Sequence, residues 1–160
     1  MIFATVGTQI AFDRMMAVVD DWAGSVSETV FAQVGPTSRK FSNLQTAPFL
    51  GPDEFEQSFA RADLIVAHAG MGSILSALAL GKPIIIMPRR ASLGEHRNEH
   101  QVATARRLAT LQGVSVAWDE SELRELLNKR GSIVESGTTL KISESAPEKF
   151  LLALKELVDA

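Results

Sequence analysis

The chain has 160 residues, 46% hydrophobic and 22% charged, the balance of one ordinary globular domain and not of a disordered chain. Its net charge of −3 argues against a general nucleic-acid binder, and the lack of cysteine excludes a disulfide framework, thiolate chemistry and a zinc–cysteine site. The opening MIFATVGTQ lacks the basic region and cleavage site of a signal peptide, and no apolar run approaches the ~20 residues of a membrane span, so a soluble cytoplasmic protein is expected.

Ile2 to Val6 is apolar without alternation, which predicts a strand buried on both faces and ending in Gly7-Thr8-Gln9. Phe12, Met15, Met16, Val19 and Trp22 then recur at helical spacing until Gly24, a stripe read as core. Val30 to Val34 predicts a second strand, broken by Gly35-Pro36, and the polar Thr37 to Thr46 a surface loop. Phe49-Leu50 predicts a short third strand, and Asp53 with Glu56 has capping-box spacing before a short helix carrying Phe55 and Phe59.

Leu64 to Ala67 predicts the next buried strand, Gly72 to Leu80 a buried helix closed by Gly81, and Pro83 to Met87 another strand. Arg89 to Glu95 reads as an irregular loop, and Asn98 to Leu111 as a helix with Val102, Ala105, Leu108 and Ala109 inward. Val114 to Trp118 predicts the last strand, after which Asp119 and Glu122 cap a helix carrying Leu123, Leu126 and Leu127. Arg130 to Glu144 has little periodicity and reads as a loop or weak strand, whereas 145–159 predicts an amphipathic terminal helix. This alternation implies one α/β domain over 1–160, a parallel sheet with helices on both faces. Ligands of such sheets bind beyond the carboxyl ends of the strands, here Gly7-Thr8-Gln9, Gly35-Pro36, His68-Ala69-Gly70 and Pro88-Arg89-Arg90.

The stretch from Leu64 to Gln101 holds all three histidines. Within it, His68-Ala69-Gly70-Met71-Gly72-Ser73 links a buried strand to a helix. Unpaired amides at a helix N-terminus carry partial positive charge and suit a diphosphate. Gly70 and Gly72 remove side chains that would block its approach, while Ser73 and His68 add donors; the bland alternative is a tight turn with a capped structural histidine. Arg89 and Arg90 follow a buried strand on the same rim, which points at least one of them toward phosphate, whereas Arg106 and Arg107 read as a solvated face. His96-Arg97-Asn98-Glu99-His100 matches a zinc-peptidase pattern, but Gly94 and the loop set His96 before the helix and no third ligand is recognisable, so no metal is expected. A dinucleotide fingerprint fails because Leu75 replaces the third glycine, although Arg89 or Arg90 keeps an NADP enzyme open as an alternative.

His68-Ala69-Gly70-x-Gly72-Ser73-Ile74-Leu75, Gly81-Lys82-Pro83, Pro88 and Asn98-x-His100-Gln101 resemble the donor-binding half of family 28 glycosyltransferases. Thr5-Val6-Gly7-Thr8-Gln9 with Phe12-Asp13 resembles a stand-alone subset, and Leu93-Gly94-Glu95-His96-x-Asn98-Glu99-His100-Gln101 its bacterial exopolysaccharide glucuronosyltransferase branch. The resemblance implies one Rossmann-like half of a two-domain GT-B enzyme that uses a UDP-sugar without a cofactor. It puts the donor nucleotide and diphosphate on Gly7, Thr8, Gln9, His68, Gly70, Met71, Gly72, Ser73 and Arg89, and the donor sugar on Glu95, Asn98, Glu99, His100 and Gln101. It assigns the acceptor, a lipid-linked glycan, to a membrane-anchored partner subunit that recruits the chain to the inner membrane face; no catalytic base is identified in this chain. The sugar expected is glucuronate, with N-acetylglucosamine or a non-catalytic nucleotide-sugar module as alternatives. Ser76 stands where relatives place a ribose-binding glutamate, His100 where many have aspartate or glutamine, and Thr104 where plant enzymes have asparagine.

Overall fold

A computed structural model describes residues 1–137. Six strands, β1 (Ile2–Thr5), β2 (Val30–Gln33), β3 (Gln45–Ala47), β4 (Leu64–His68), β5 (Ile84–Met87) and β6 (Val114–Val116), form one sheet in the order β3-β2-β1-β4-β5-β6. Every pair is parallel. The chain starts mid-sheet at β1, builds outward to β3, then crosses back to lay down β4, β5 and β6. The order therefore reverses between β1 and β4, the place where the carboxyl ends of an open α/β sheet part to form a crevice.

Apolar runs such as Ile84-Ile85-Ile86-Met87 are buried because both faces of the sheet are covered. On one face α1 (Asp13–Ala23) and α5 (Glu120–Asn128) bring Met15, Met16, Val19, Trp22, Leu123 and Leu127 onto Ile2, Ala4, Val66 and Ile85. On the other, α2 (Pro52–Arg61), α3 (Met71–Ala79) and α4 (His100–Leu108) bring Phe59, Ile74, Leu78, Ala105 and Leu108 onto Phe3, Ile65, Ile84 and Ile86. The predicted Asp119 cap is present, its side chain accepting from the Glu122 amide at 2.9 Å.

Several boundaries differ from expectation for identifiable reasons. The third strand is Gln45–Ala47 and not Phe49-Leu50; it lies at the sheet edge with Gln45 and Thr46 exposed, where no apolar run is needed, and Phe49 is itself 51% exposed. α2 is capped at Gly51, whose amide donates to Glu54 Oε2 at 3.1 Å, and not by Asp53 with Glu56. α4 begins at His100 and stops at Leu108, leaving Ala109 exposed. Residues Arg130–Gly137, expected as loop or weak strand, form α6. Its Ile133 and Val134 pack on the core, and a Cβ on Gly137 would meet Pro83 Cβ at 2.5 Å, so tertiary contact and not periodicity holds it. The expected helix over 145–159 lies outside the described residues. No helix of the described residues is long and apolar enough to cross a membrane.

Candidate functional site: a cleft over the strand crossover

A cleft of about 680 Å³ opens over the carboxyl ends of β2, β1 and β4. One wall is the start of α3, which supplies Gly72, Ser73 and Ser76. Gly70 occupies the N-cap position, no side chain caps the helix, and the Ile74 amide returning to the Gly70 carbonyl (3.3 Å) closes the first turn. The amides of Met71, Gly72 and Ser73 thus stand at the positive end of the helix, the arrangement that favours an anion. A Cβ on Gly72 would have nothing within 4 Å, so this residue faces open space.

The opposite wall is the β1–α1 loop, with Gly7, Thr8, Gln9 and Ile10 lining the cleft and Gly7 at φ +76°. Arg89 holds this loop. Its side chain is 2% exposed, and its guanidinium donates to the carbonyls of Ala11 (2.7 Å), Val6 (2.9 Å) and Ile10 (2.6 Å) while lying 4.7 Å over the Phe12 ring. Burial pushes the Arg89 pKa down to about 10, against the pull of Glu95, which leaves it charged at neutral pH. Three of the five guanidinium N–H groups are therefore committed to backbone and not to a ligand.

His68, at the end of β4, fills the gap between the two glycine turns. A Cβ on Gly7 would meet its Cε1 at 2.9 Å, and one on Gly70 its Nε2 at 2.2 Å, so these glycines make room for the imidazole rather than directly for a ligand. Burial and then the Arg89 charge lower the His68 pKa to about 4, with His96 adding slightly. The Thr5 backbone offsets part of this without reaching hydrogen-bonding geometry, so Nδ1 is buried and unpartnered. His68 is neutral at pH 7.

The family model for the glycosyltransferase family 28 C-terminal domain matches residues 1–157. The chain belongs to glycosyltransferase family 28. Over 116 residues, 71% of this chain and 29% of the relative, it is 30% identical to a UDP-N-acetylglucosamine--N-acetylmuramyl-(pentapeptide) pyrophosphoryl-undecaprenol N-acetylglucosamine transferase of Bifidobacterium longum. It is 29% identical over 108 residues to the UDP-N-acetylglucosamine transferase subunit ALG13 of Mus musculus, covering 61% of this chain and 9% of that protein. The chain spans less than a third of the length of these relatives. Its fold matches the NMR solution structure of ALG13 (TM-score 0.63, 19% identity, 99% of this chain, 96% of that one) and Acinetobacter baumannii MurG (TM-score 0.64, 17% identity, 98% and 49%). The described part is a single Rossmann-like α/β domain like those of GT-B glycosyltransferases.

Within this family 28 domain the structure brings together Gly7, Thr8, Gln9, His68, Gly72, Ser73, Arg89 and Gln101 on one cleft. Gln101 Oε1 accepts the Arg89 amide at 3.1 Å and so ties α4 to the end of β5. Four residues expected at the donor sugar do not line the cleft. Glu95 turns away to clamp Arg14 of α1 (Oε1–Nε 2.6 Å, Oε2–Nη2 2.9 Å) and the Arg90 amide (2.9 Å). Glu99 Oε1 accepts from the amides of Ala91 and Ser92 at 2.9 and 3.3 Å, because the 3-10 turn Ala91–Leu93 leaves those donors open. Asn98 Oδ1 accepts from the His100 amide at 3.2 Å, just before α4, and His100 is exposed. These three fold the loop that delivers His96 to the cleft.

His96, Gln33, Ser76, Leu50, Pro52 and Phe55 line the cleft without having been expected there. Ser76 was legible, since it lies three and four residues beyond Ser73 and Gly72 on one helix face. Gln33 also left a signal, a lone amide closing an apolar strand at the ligand rim. His96 and His100 share no helix face, and no three His, Cys, Asp or Glu side chains gather as a metal site among the described residues.

Proposed function

We propose that this chain is the donor-binding half of an inverting glycosyltransferase that transfers a hexose from a UDP-sugar. The observation that carries this reading is the uncapped start of α3, open through Gly72 onto a large cleft at the strand crossover of a family 28 domain. The amides of Met71, Gly72 and Ser73 would hold the diphosphate, with the Ser73 hydroxyl and the single N–H of neutral His68 as further donors. As the anomeric bond breaks, negative charge grows on the departing UDP, and fixed helix-end dipoles stabilise it without reorganising. This electrostatic role needs no metal ion. Arg89 acts through the loop it clamps, holding Gly7 to Gln9 against the ligand.

Gln101 and His96, which line the cleft, would face the sugar. The donor we favour is UDP-glucuronate, whose carboxylate would meet His96. UDP-N-acetylglucosamine is the second candidate, because the relatives carry that sugar in their names. The acceptor, a polyprenyl-diphosphate-linked glycan, and the base that deprotonates it would come from a membrane-anchored partner subunit that brings this chain to the inner membrane face. Co-expression with the candidate partner, followed by transfer assays with each UDP-sugar, tests the reading. Transfer from one UDP-sugar only when both subunits are present is expected; UDP binding without transfer in the assembled pair would make the chain a nucleotide-sugar-binding module instead.

A further inference from the structure

Gln33 closes β2 at the floor of the cleft, 1% exposed. Its amide is oriented by a short relay. The Gly7 amide donates to Thr5 Oγ1 at 3.1 Å, which leaves the Thr5 hydroxyl hydrogen to donate to Gln33 Oε1 at 3.0 Å. Nε2 is the end left over, buried and without a partner among the described residues. Buried amide donors are rarely left unpaired, and an orphan on a cleft floor points to an acceptor that arrives with the ligand.

The place of Gln33 says which part of the ligand that is. Val34 and Gly35, just beyond it, donate to the carbonyls of Ala47 and Pro48 at 3.0 Å each, so β2 ends beside the β3–α2 connection, while the Gln33 side chain reaches Thr5 of β1. That connection and the first turn of α2 supply Leu50, Pro52 and Phe55, an apolar wall suited to a flat ring. The phosphate end, at α3, follows β4, two strand positions from β2, or about 10 Å from strand to strand at ordinary spacing. A ribose separates a diphosphate from its base over such a distance. Nε2 offers only N–H donors, so it selects a carbonyl and rejects an amino group.

We propose that Gln33 is a specificity-determining residue whose amide donates to a carbonyl oxygen of the pyrimidine base. This rests on the reading of the cleft as a nucleotide-sugar site.

Calorimetric titration of the full chain with UDP, 2-thio-UDP, 4-thio-UDP and inorganic pyrophosphate tests it, on wild type, Gln33→Met and the isosteric Gln33→Glu. Gln33→Met should weaken UDP about 5- to 100-fold and leave pyrophosphate unchanged. Gln33→Glu, which presents acceptors to an acceptor, should weaken UDP at least as much. One of the two thio-nucleotides, sulfur being a poor acceptor, should bind wild type more weakly than UDP does, and that difference should vanish in Gln33→Met. UDP affinity within twofold of wild type in both variants would overturn the proposal. So would an equal loss for pyrophosphate, which would move the contact to phosphate, or equal binding of all three nucleotides by wild type. A wild-type chain that ignores UDP would bring down the donor-site reading as well, an outcome separate from a failure confined to the variants.

Discussion

Arg89→Met should loosen the β1–α1 loop and destabilise the domain. The substitution keeps an apolar stem over Phe12 but strips the carbonyls of Val6, Ile10 and Ala11 of their donors. Charged hydrogen bonds of this kind contribute about 1.5–3 kcal/mol each. Two effects reduce the sum: the Ile10 and Ala11 carbonyls are only partly buried and regain water, and the variant no longer confines a cation whose pKa burial has pushed down to about 10. The net loss should be about 2–4 kcal/mol, read as a shift in urea midpoint at unchanged slope. UDP affinity should fall with it, because Gly7 to Gln9 lose their support. Arg89→Lys is the discriminating companion. A lysine keeps the charge but cannot present a planar fork to three carbonyls, so it should behave like methionine. If lysine restores both stability and UDP affinity, Arg89 works as a point charge on phosphate and the clamp is wrong.

The two glycines at the start of α3 should respond differently. Gly72→Asp points a carboxylate into open cleft beside the helix-end amides, so it should abolish UDP binding with melting within a few degrees of wild type; retained affinity would remove the phosphate role from this turn. Gly70→Ala drives a Cβ to 2.2 Å from His68 Nε2, and should destabilise by about 1–3 kcal/mol while shifting the histidine's NMR signals. Unmoved signals would refute the packing of His68 between the glycines. His68 also predicts a pH dependence. Its folded pKa near 4 lies below the ordinary 6.5, so full stability holds above pH 6.5 and falls between 6.5 and 4 as the unfolded chain takes up a proton the folded one resists. The loss should approach about 3 kcal/mol by pH 4, and His68→Gln should abolish that part of the slope.

Strands buried on both faces were readable because Ile2-Phe3-Ala4-Thr5 and Ile84-Ile85-Ile86-Met87 need only be continuously apolar. Helices with a strong apolar stripe, such as α1 around Met15, Val19 and Trp22, were readable for the same reason. What escaped was set by tertiary contact: the polar edge strand Gln45–Ala47, and α6, which has almost no amphipathic pattern and is fixed by Ile133, Val134 and Gly137 against neighbours. At the site, the glycine turns could be located because strand ends and helix starts must meet the ligand rim, whereas Gln101 was implied only by the resemblance to family 28. The fate of individual charges could not. Arg89, Glu95 and Glu99 carry the residue types of a ligand site, yet their partners are loop carbonyls and Arg14 from distant segments and backbone amides of their own loop. A charged residue in a loop reveals its partner only once the loop is folded.

Calorimetric titration of the wild-type chain with UDP, set beside NADP, is the most direct measurement. Saturable one-site UDP binding, competed by a UDP-sugar and with no NADP response, is expected from the open α3 terminus and the cleft over β2, β1 and β4. Binding of NADP with no heat from UDP would contradict the assignment of this cleft to a UDP-sugar.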